Sequence, residues 1–221
     1  MADNVAALLR VMLVTDDALV RGRDLVTLAL AAERGGASCV QLRLKRADPR
    51  ELAAATRALQ QALAVPVLIN DRADVAIATG AAGVHLGPDD VPVELVRRIA
   101  PAGFVIGASV GNPAETVFGA AADYWGVGPW RETRTKDDAG EGLGPAGFHR
   151  MVALAAGRPC VAIGGVRPED VAAVLEAGGR GVAVVSGILG ADDVEAAARR
   201  YSDAILAARG QLAPPDLPHG P

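Results

Sequence analysis

The chain has 221 residues, of which 51% are hydrophobic and 22% charged, and its formal net charge is −4. That is enough apolar material for one sizeable core, and it excludes bulk disorder, which needs low hydrophobicity together with high net charge. The acidic balance and an aromatic content of 3% leave no global basic footprint and no base-stacking platform, so no nucleic-acid partner is expected.

In chain order, eight short apolar runs stand at 11–15, 39–44, 65–70, 83–87, 104–109, 124–128, 160–164 and 181–186. Each is rich in Val, Ile and Leu and bounded by Gly, Asp or Asn, as strands covered on both faces are. Helix patterns fill the gaps at 24–34, 49–63, 73–79, 92–99, 113–121, 146–155, 168–177 and 192–208. Four of them open on Pro49, Pro92, Pro113 and Pro168, near a first turn where the missing N–H costs little. Eight strands each followed by a helix predict a single (β/α)8 TIM barrel over residues 1–209. A doubly wound open sheet is the alternative, because periodicity alone does not separate the two. Residues 210–221 carry four prolines and read as a mobile tail. Cys39 and Cys160 lie in apolar runs and read as buried thiols of a reducing cytoplasm. No run approaches the roughly 20 apolar residues of a membrane span, and the N-terminus has no secretory pattern, so a cytoplasmic protein without a membrane partner is expected.

In a barrel the chemistry gathers at the carboxyl ends of the strands. Gln41, Arg43 and Lys45 are spaced i, i+2 and i+4, so strand alternation predicts one face for all three, aimed at the mouth. Two cations and an amide there would bind an anion; the alternative is a solvated strand end. Asn70-Asp71 closes the third run, and Asp89-Asp90 follows the fourth by three residues. Asp71 and Asp90, on neighbouring strand exits, suit Mg²⁺, which is rarely held by an all-protein cage. Asp89 reads as a turn or cap residue, and Asp71 could instead pair with Arg72. The three histidines, His85, His149 and His219, are far apart in sequence, which speaks against a His-based zinc site. The segment 128–144 is a long loop carrying Thr133, Arg134, Thr135 and Lys136. Its hydroxyls and cations suit phosphate or carboxylate oxygens, and Gly140, Gly142 and Gly144 suit a hinge. Gly164-Gly165 and Ser186-Gly187 stand where barrels commonly bind phosphate, after strands seven and eight.

These residues also form a recognisable series. QLRLK (41–45), INDR (69–72), GVHLGPDD (83–90), IGAS (106–109), ADYWGVGP (122–129), TRTK (133–136), VAIGGV (161–166) and GVAVVSGI (181–188) stand in the order seen in thiamine phosphate synthases. The chain resembles that family over nearly its whole length. The resemblance implies a (β/α)8 enzyme that joins hydroxymethylpyrimidine diphosphate to thiazole phosphate, giving thiamine phosphate and diphosphate. It implies that Gln41, Leu42, Arg43, Leu44, Lys45 and Asn70 bind the pyrimidine diphosphate and that Asp71 and Asp90 hold Mg²⁺. It places Ser109 and Lys136 on the same substrate, and Thr133, Arg134, Thr135, Gly165, Val185 and Ser186 on the thiazole phosphate. Arg43, Lys45, Ser109 and Lys136 would carry the chemistry, with no need of a nucleophile or strong base. The chain departs from the family at Leu44 (usually Glu), Pro88 (often Gln), Gly111 (often His) and Arg131 (usually aromatic). A thiazole tautomerase of the same barrel type is disfavoured, because it resembles the synthase but uses a His at the place of Gly111. A non-catalytic thiamine phosphate binder would not need the metal and cation set. An unrelated sugar-phosphate epimerase would need an acid/base pair. A homo-oligomer is left open.

Overall fold

Each strand pairs in parallel with the next, and the eighth returns to the first, so the sheet closes into a barrel of order β1 to β8. This is a computed structural model, and it describes residues 2–132 and 142–212. The elements run α1 (Ala2–Leu8), β1 (Val11–Val14), α2 (Asp17–Val20), α3 (Leu25–Arg34), β2 (Cys39–Leu42), α4 (Pro49–Ala62) and β3 (Val67–Asn70). They continue with α5 (Ala73–Thr79), β4 (Gly83–Leu86), α6 (Val93–Ile99), β5 (Val105–Ser109), β6 (Tyr124–Val127), α7 (Gly144–Leu154) and β7 (Cys160–Ile163). Last come α8 (Val171–Glu176), β8 (Gly181–Val184), α9 (Ser186–Leu189) and α10 (Val194–Leu212). The closed parallel sheet excludes the doubly wound alternative. The tail expected beyond residue 209 begins within α10, and residues 213–221 lie outside the described residues.

Alternation along each strand sorts the side chains into two cores. Val11, Leu13, Val40, Leu42, Val67, Ile69, Val84, Leu86, Ile106 and Ala108 point outward and are buried under the helices. Met12, Val14, Cys39, Leu68, Tyr124, Val161 and Ala183 point inward and fill the barrel. Burying one Leu, Ile or Val side chain of this kind is worth roughly 1.5–3 kcal/mol, so the two layers dominate the stability. Several helix starts follow from local chemistry. Asp48 accepts from the Arg50 and Glu51 amides while Glu51 accepts from the Asp48 amide, a reciprocal cap on α4 that also uses Pro49 in its first turn.

Several elements depart from expectation, among them the single turns α2 and α9 at strand exits, which no helix pattern announced. α1 is not among the expected helices. Its Val5 and Leu8, with Leu9 just beyond, join the inner core, so the segment stoppers the amino-terminal end of the barrel. The helix expected at 113–121 is two 3-10 turns, Pro113–Thr116 and Phe118–Ala121. There the buried Trp125 indole donates to the Gly119 carbonyl (2.8 Å), which also accepts from the Ala122 amide.

Two glycines make the interior possible. A Cβ at Gly107 would lie 2.2–2.4 Å from three atoms of the Tyr124 side chain, and one at Gly126 would lie 2.9 Å from the His85 ring. The inner faces of β5 and β6 are hollowed so that a phenol and an imidazole fit inside the sheet. Gly107→Ala is therefore expected to destabilise the fold by about 1–3 kcal/mol, the usual range for overpacking a tight core. Chemical denaturation of the variant checks this, and an unchanged midpoint would show that the Tyr124 ring yields freely.

Candidate active site

The carboxyl ends of β2 to β5 bring polar side chains into the mouth from adjoining strands. Gln41 is buried on the inner face of β2 and donates from Nε2 to Asn70 Oδ1 on β3 (2.9 Å). Arg43 and Lys45 also reach the mouth, but not by strand alternation, because β2 stops at Leu42. The Thr15 hydroxyl accepts from the Arg43 amide (2.8 Å) and donates to the Arg43 carbonyl (3.0 Å), and the Asp17 carboxylate accepts from the Lys45 and Arg46 amides. These side chains take the backbone groups that a longer β2 would have offered its neighbours. Arg43 then pairs with Asp16 (3.0 Å), whose carboxylate also caps α2, and Lys45 Nζ lies 3.6 Å from Asp71 Oδ2. Leu42 is fully buried on the outer layer and Leu44 packs against the same layer, so neither side chain faces the mouth.

Asp71 sits at φ 64°, in the left-handed region that costs most residues about 1–2 kcal/mol. Its amide donates to the His85 carbonyl of β4 (2.8 Å), which holds it at the mouth rather than continuing β3. Arg72 turns away to a bidentate pair with Asp74 (2.6 and 2.9 Å), so the pairing of Asp71 with Arg72 left open by the sequence is not the one formed. Asp90 accepts from the Gly87 amide (2.6 Å) and interacts with Asp71. Its carboxyl is pushed up to about 6, first by burial and then by the charge and hydrogen bond of Asp71, against the Gly87 amide and Lys45, which pull it down. Two oxygen-donor carboxylates that burden one another fit a hard divalent cation that keeps several waters. Among the described residues no cluster of three or more His, Cys, Asp or Glu stands ready to hold a metal, so such an ion would rest on this pair.

Across the mouth, the β7 and β8 exits are neighbours in the barrel. Gly164 and Gly165 adopt φ of 89° and 69°, which a side-chain-bearing residue rarely tolerates. The β8 exit turns at Val185 into the single turn of α9, beginning at Ser186. Arg131 donates through its amide to the Gly164 carbonyl (2.9 Å) and pairs bidentately with the buried Asp170. Burial would raise the Asp170 carboxyl, but hydrogen bonds from Arg131 and the Arg167 amide hold it below the usual carboxylate range. Arg131 thus staples the β6 loop to the β7 loop, and a Cβ on Gly165 would lie 3.0 Å from Arg131 Cβ. The stem of the long loop is closed by the Leu143 and Gly144 amides, which donate to Pro129 and Trp130 carbonyls. Thr133, Arg134, Thr135 and Lys136 lie outside the described residues.

Sequence reasoning missed several residues here. Asp16 was one polar residue at the first strand exit, Asp17 and Asp170 were not singled out, and only the fold brings Arg131 to Asp170. His85 was weighed as a zinc ligand and set aside, yet Nδ1 is 2.9 Å from the Tyr124 hydroxyl and Nε2 is 3.0 Å from the Ser109 hydroxyl at the β5 exit. The alternation of Val84, His85 and Leu86 was the available signal for an inward imidazole.

The family described as thiamine monophosphate synthase matches residues 11–188. A thiamine-phosphate synthase of Methanoculleus marisnigri is 48% identical over 203 residues, covering 90% of this chain and 96% of that protein. One from Xanthobacter autotrophicus is 48% identical over 206 residues, covering 91% and 97%. A solved structure, the thiamine phosphate pyrophosphorylase from Pyrococcus furiosus, superposes with a TM-score of 0.83 at 34% identity, covering 93% of this chain and 99% of that one.

The raised Asp90 carboxyl makes a stability prediction for the metal-free protein. A folded-state value above the unfolded one contributes stability that is full below about 3.8 and is lost as pH rises through about 6. Asp90→Asn removes that titration and keeps an oxygen for the Gly87 amide. The unfolding free energy of wild type relative to Asp90→Asn should therefore fall between pH 4 and pH 7, as read by urea denaturation in chelator. A pH-independent difference would mean that Asp90 is not perturbed.

Proposed function

The chain belongs to the thiamine monophosphate synthase family, and on that premise we propose that it joins 4-amino-2-methyl-5-hydroxymethylpyrimidine diphosphate to 4-methyl-5-(2-phosphoethyl)thiazole, or its carboxylate. The products are thiamine phosphate and diphosphate. The observation that carries this reading is the gathering of Arg43, Lys45, Asp71 and Asp90 on adjoining exits, with a glycine-lined exit pair at β7 and β8 beside them in the same mouth.

The bond that breaks joins the pyrimidine methylene carbon to a diphosphate oxygen, and the bond that forms joins that carbon to the thiazole nitrogen. Negative charge builds on the departing oxygen. Arg43 and Lys45, with Lys136 from the long loop, would receive it, and groups aimed at developing charge are worth more than groups that bind the ground state. Mg²⁺ held by Asp71 and Asp90 would neutralise diphosphate oxygens. Asp16 would keep Arg43 in place until the diphosphate arrives. Gln41 and Asn70, already joined, would present a fixed amide edge to the aminopyrimidine, whose electron-rich ring can carry the positive charge left on its methylene. Ser109 would contact the same substrate. Gly165, Val185 and Ser186, with Thr133, Arg134 and Thr135, would hold the thiazole phosphate. No chain residue has to act as nucleophile or strong base.

The tautomerase reading is disfavoured by Gly111. Its amide donates to Glu115 (2.6 Å), and a Cβ there would lie 2.8 Å from the Gly128 carbonyl oxygen, so the position does not admit a histidine as it stands. The substrates would be small charged metabolites, which favours a reaction in the cytoplasm; no helix among the described residues is long and apolar enough to cross a membrane.

The direct test is Mg²⁺-dependent release of diphosphate together with thiamine phosphate from the two substrates. Asp71→Ala and Asp90→Ala should each abolish turnover while circular dichroism stays native. Near-wild-type activity of both at limiting Mg²⁺ would overturn the metal assignment. Arg43→Ala should lower kcat by about 10²–10³, the scale of removing one donor from developing charge; a rise in KM with kcat unchanged would place Arg43 in ground-state binding only. Ser186→Asp should weaken the thiazole phosphate selectively, since a carboxylate would face a dianion. Equal loss of both substrates would mean that they have been assigned to the wrong sides of the mouth.

A further inference from the structure

The inner faces of β4, β5 and β6 hold a chain of three polar side chains, Tyr124, His85 and Ser109. It starts deep in the barrel, where the Tyr124 hydroxyl is fully buried, and ends at the half-buried Ser109 at the mouth. Nothing in the reaction requires a phenol and an imidazole beneath the site. Gly107 and Gly126 nevertheless leave the room that these two rings occupy.

The direction of this chain follows from counting protons. A tyrosine hydroxyl has one hydrogen to give, a neutral imidazole has one N–H and one bare nitrogen, and a serine hydroxyl has one hydrogen. Two arrangements satisfy both contacts. In the first, Tyr124 donates to Nδ1, Nε2–H donates to Ser109 Oγ, and the Ser109 hydrogen is left for the mouth. In the second, Ser109 donates inward to Nε2, Nδ1–H donates to Tyr124, and the phenol hydrogen needs another acceptor. Among the described residues His85 Nδ1 is the hydrogen-bond partner of the Tyr124 hydroxyl. An unspent hydroxyl hydrogen inside a barrel would cost about 1–3 kcal/mol, so the first arrangement wins. Burial pushes the Tyr124 hydroxyl well above its ordinary value, which keeps that hydrogen on the phenol.

We propose that Tyr124 and His85 are positioning residues that hold the imidazole in its Nε2–H form and so present Ser109 to the substrate as a hydrogen-bond donor. The ligand atom that Ser109 meets is then an acceptor, a pyrimidine ring nitrogen or a diphosphate oxygen, and not an amino group. The inference rests on the reading above in placing Ser109 against the pyrimidine diphosphate, but the proton arrangement is a property of the ligand-free protein.

The first experiment needs no turnover. In full-length chain carrying His149→Gln and His219→Gln, His85 is the single histidine, and ¹⁵N-labelling of its ring reports which nitrogen bears hydrogen at neutral pH. Nε2–H alone is the expected result. Nδ1–H, or a ring protonated on both nitrogens, would overturn the proposal whatever the enzyme does. The second experiment is Tyr124→Phe, which keeps the ring and removes the hydroxyl. It should release the tautomer into a mixture and lower kcat/KM for the pyrimidine diphosphate about tenfold, with the KM for the thiazole phosphate unchanged. An unchanged ¹⁵N pattern with unchanged kcat/KM would show that Tyr124 positions nothing. If wild type makes no thiamine phosphate while the Nε2–H form is present, the synthase reading fails and the proton arrangement stands.

Discussion

A closed parallel barrel built from strands of four or five residues gives each strand only two or three inward positions, and everything in the mouth depends on how they are used. The lower positions must fill the bore, because an empty barrel interior would forfeit contacts on every side. Met12, Cys39, Leu68, Tyr124, Val161 and Ala183 do this, with α1 closing the end below them. The upper positions are therefore the ones available for chemistry, and they are not distributed evenly. Gln41, Asn70, His85 and Ser109 stand on four consecutive strands, β2 to β5, whereas Val14, Ile163 and Val185 line β1, β7 and the β8 exit. One side of the mouth is polar by side chain. The opposite side is apolar and offers polarity mainly through backbone bent at Gly164 and Gly165.

This division explains why the two sides are stiffened differently. On the polar side, side chains restrain one another: Gln41 with Asn70, Arg43 with Asp16, Lys45 with Asp71, and His85 with both Tyr124 and Ser109. On the glycine side the restraint comes from outside the bore. Arg131 and Asp170 tie two loops together, and the Tyr201 hydroxyl of α10 donates to the Val166 carbonyl (3.0 Å) behind them. A Cβ on Gly187 would strike that same hydroxyl, so α10 packs directly against the β8 exit. A loop that binds through backbone N–H groups needs such external anchors, since it has no side chains of its own to lock it.

What the sequence made legible follows from the range of the forces involved. Strand and helix alternation is a local property, and all eight strands are found within two residues of their expected limits. Asp71 and Asp90 were also readable, because adjacent strand exits in a barrel are neighbours by construction. The proposal that Arg43 and Lys45 extend β2 failed where tertiary contacts intervened: Thr15 and Asp17 from the preceding strand exit take the backbone groups first. The two 3-10 turns were not legible in the sequence, and the contact of their Gly119 carbonyl with Trp125 on the next strand is one that no local pattern shows. The His85 chain was least legible. Its partners are 24 and 39 residues away, and its space is made by glycines that read in sequence only as small residues.

Charge arithmetic in the mouth shows what the ligand-free site lacks. Arg43 and Lys45 are opposed by Asp16, Asp71 and Asp90, so the described groups carry two positive charges against three negative ones when Asp90 is ionised. Each cation already has a carboxylate partner. The third carboxylate has only a backbone amide and the company of Asp71, and burial first, then the Asp71 charge, raises its preference for a proton up to about pH 6. A mouth of this kind would repel a bare diphosphate. A divalent cation on the acid pair would supply the positive charge that is missing. Two ions at 4 Å interact by roughly 4 kcal/mol at an effective dielectric of 20, so the sign of the site is decided by one such neutralisation. An acid pair that burdens the empty protein would in that way couple anion binding to the binding of a cation.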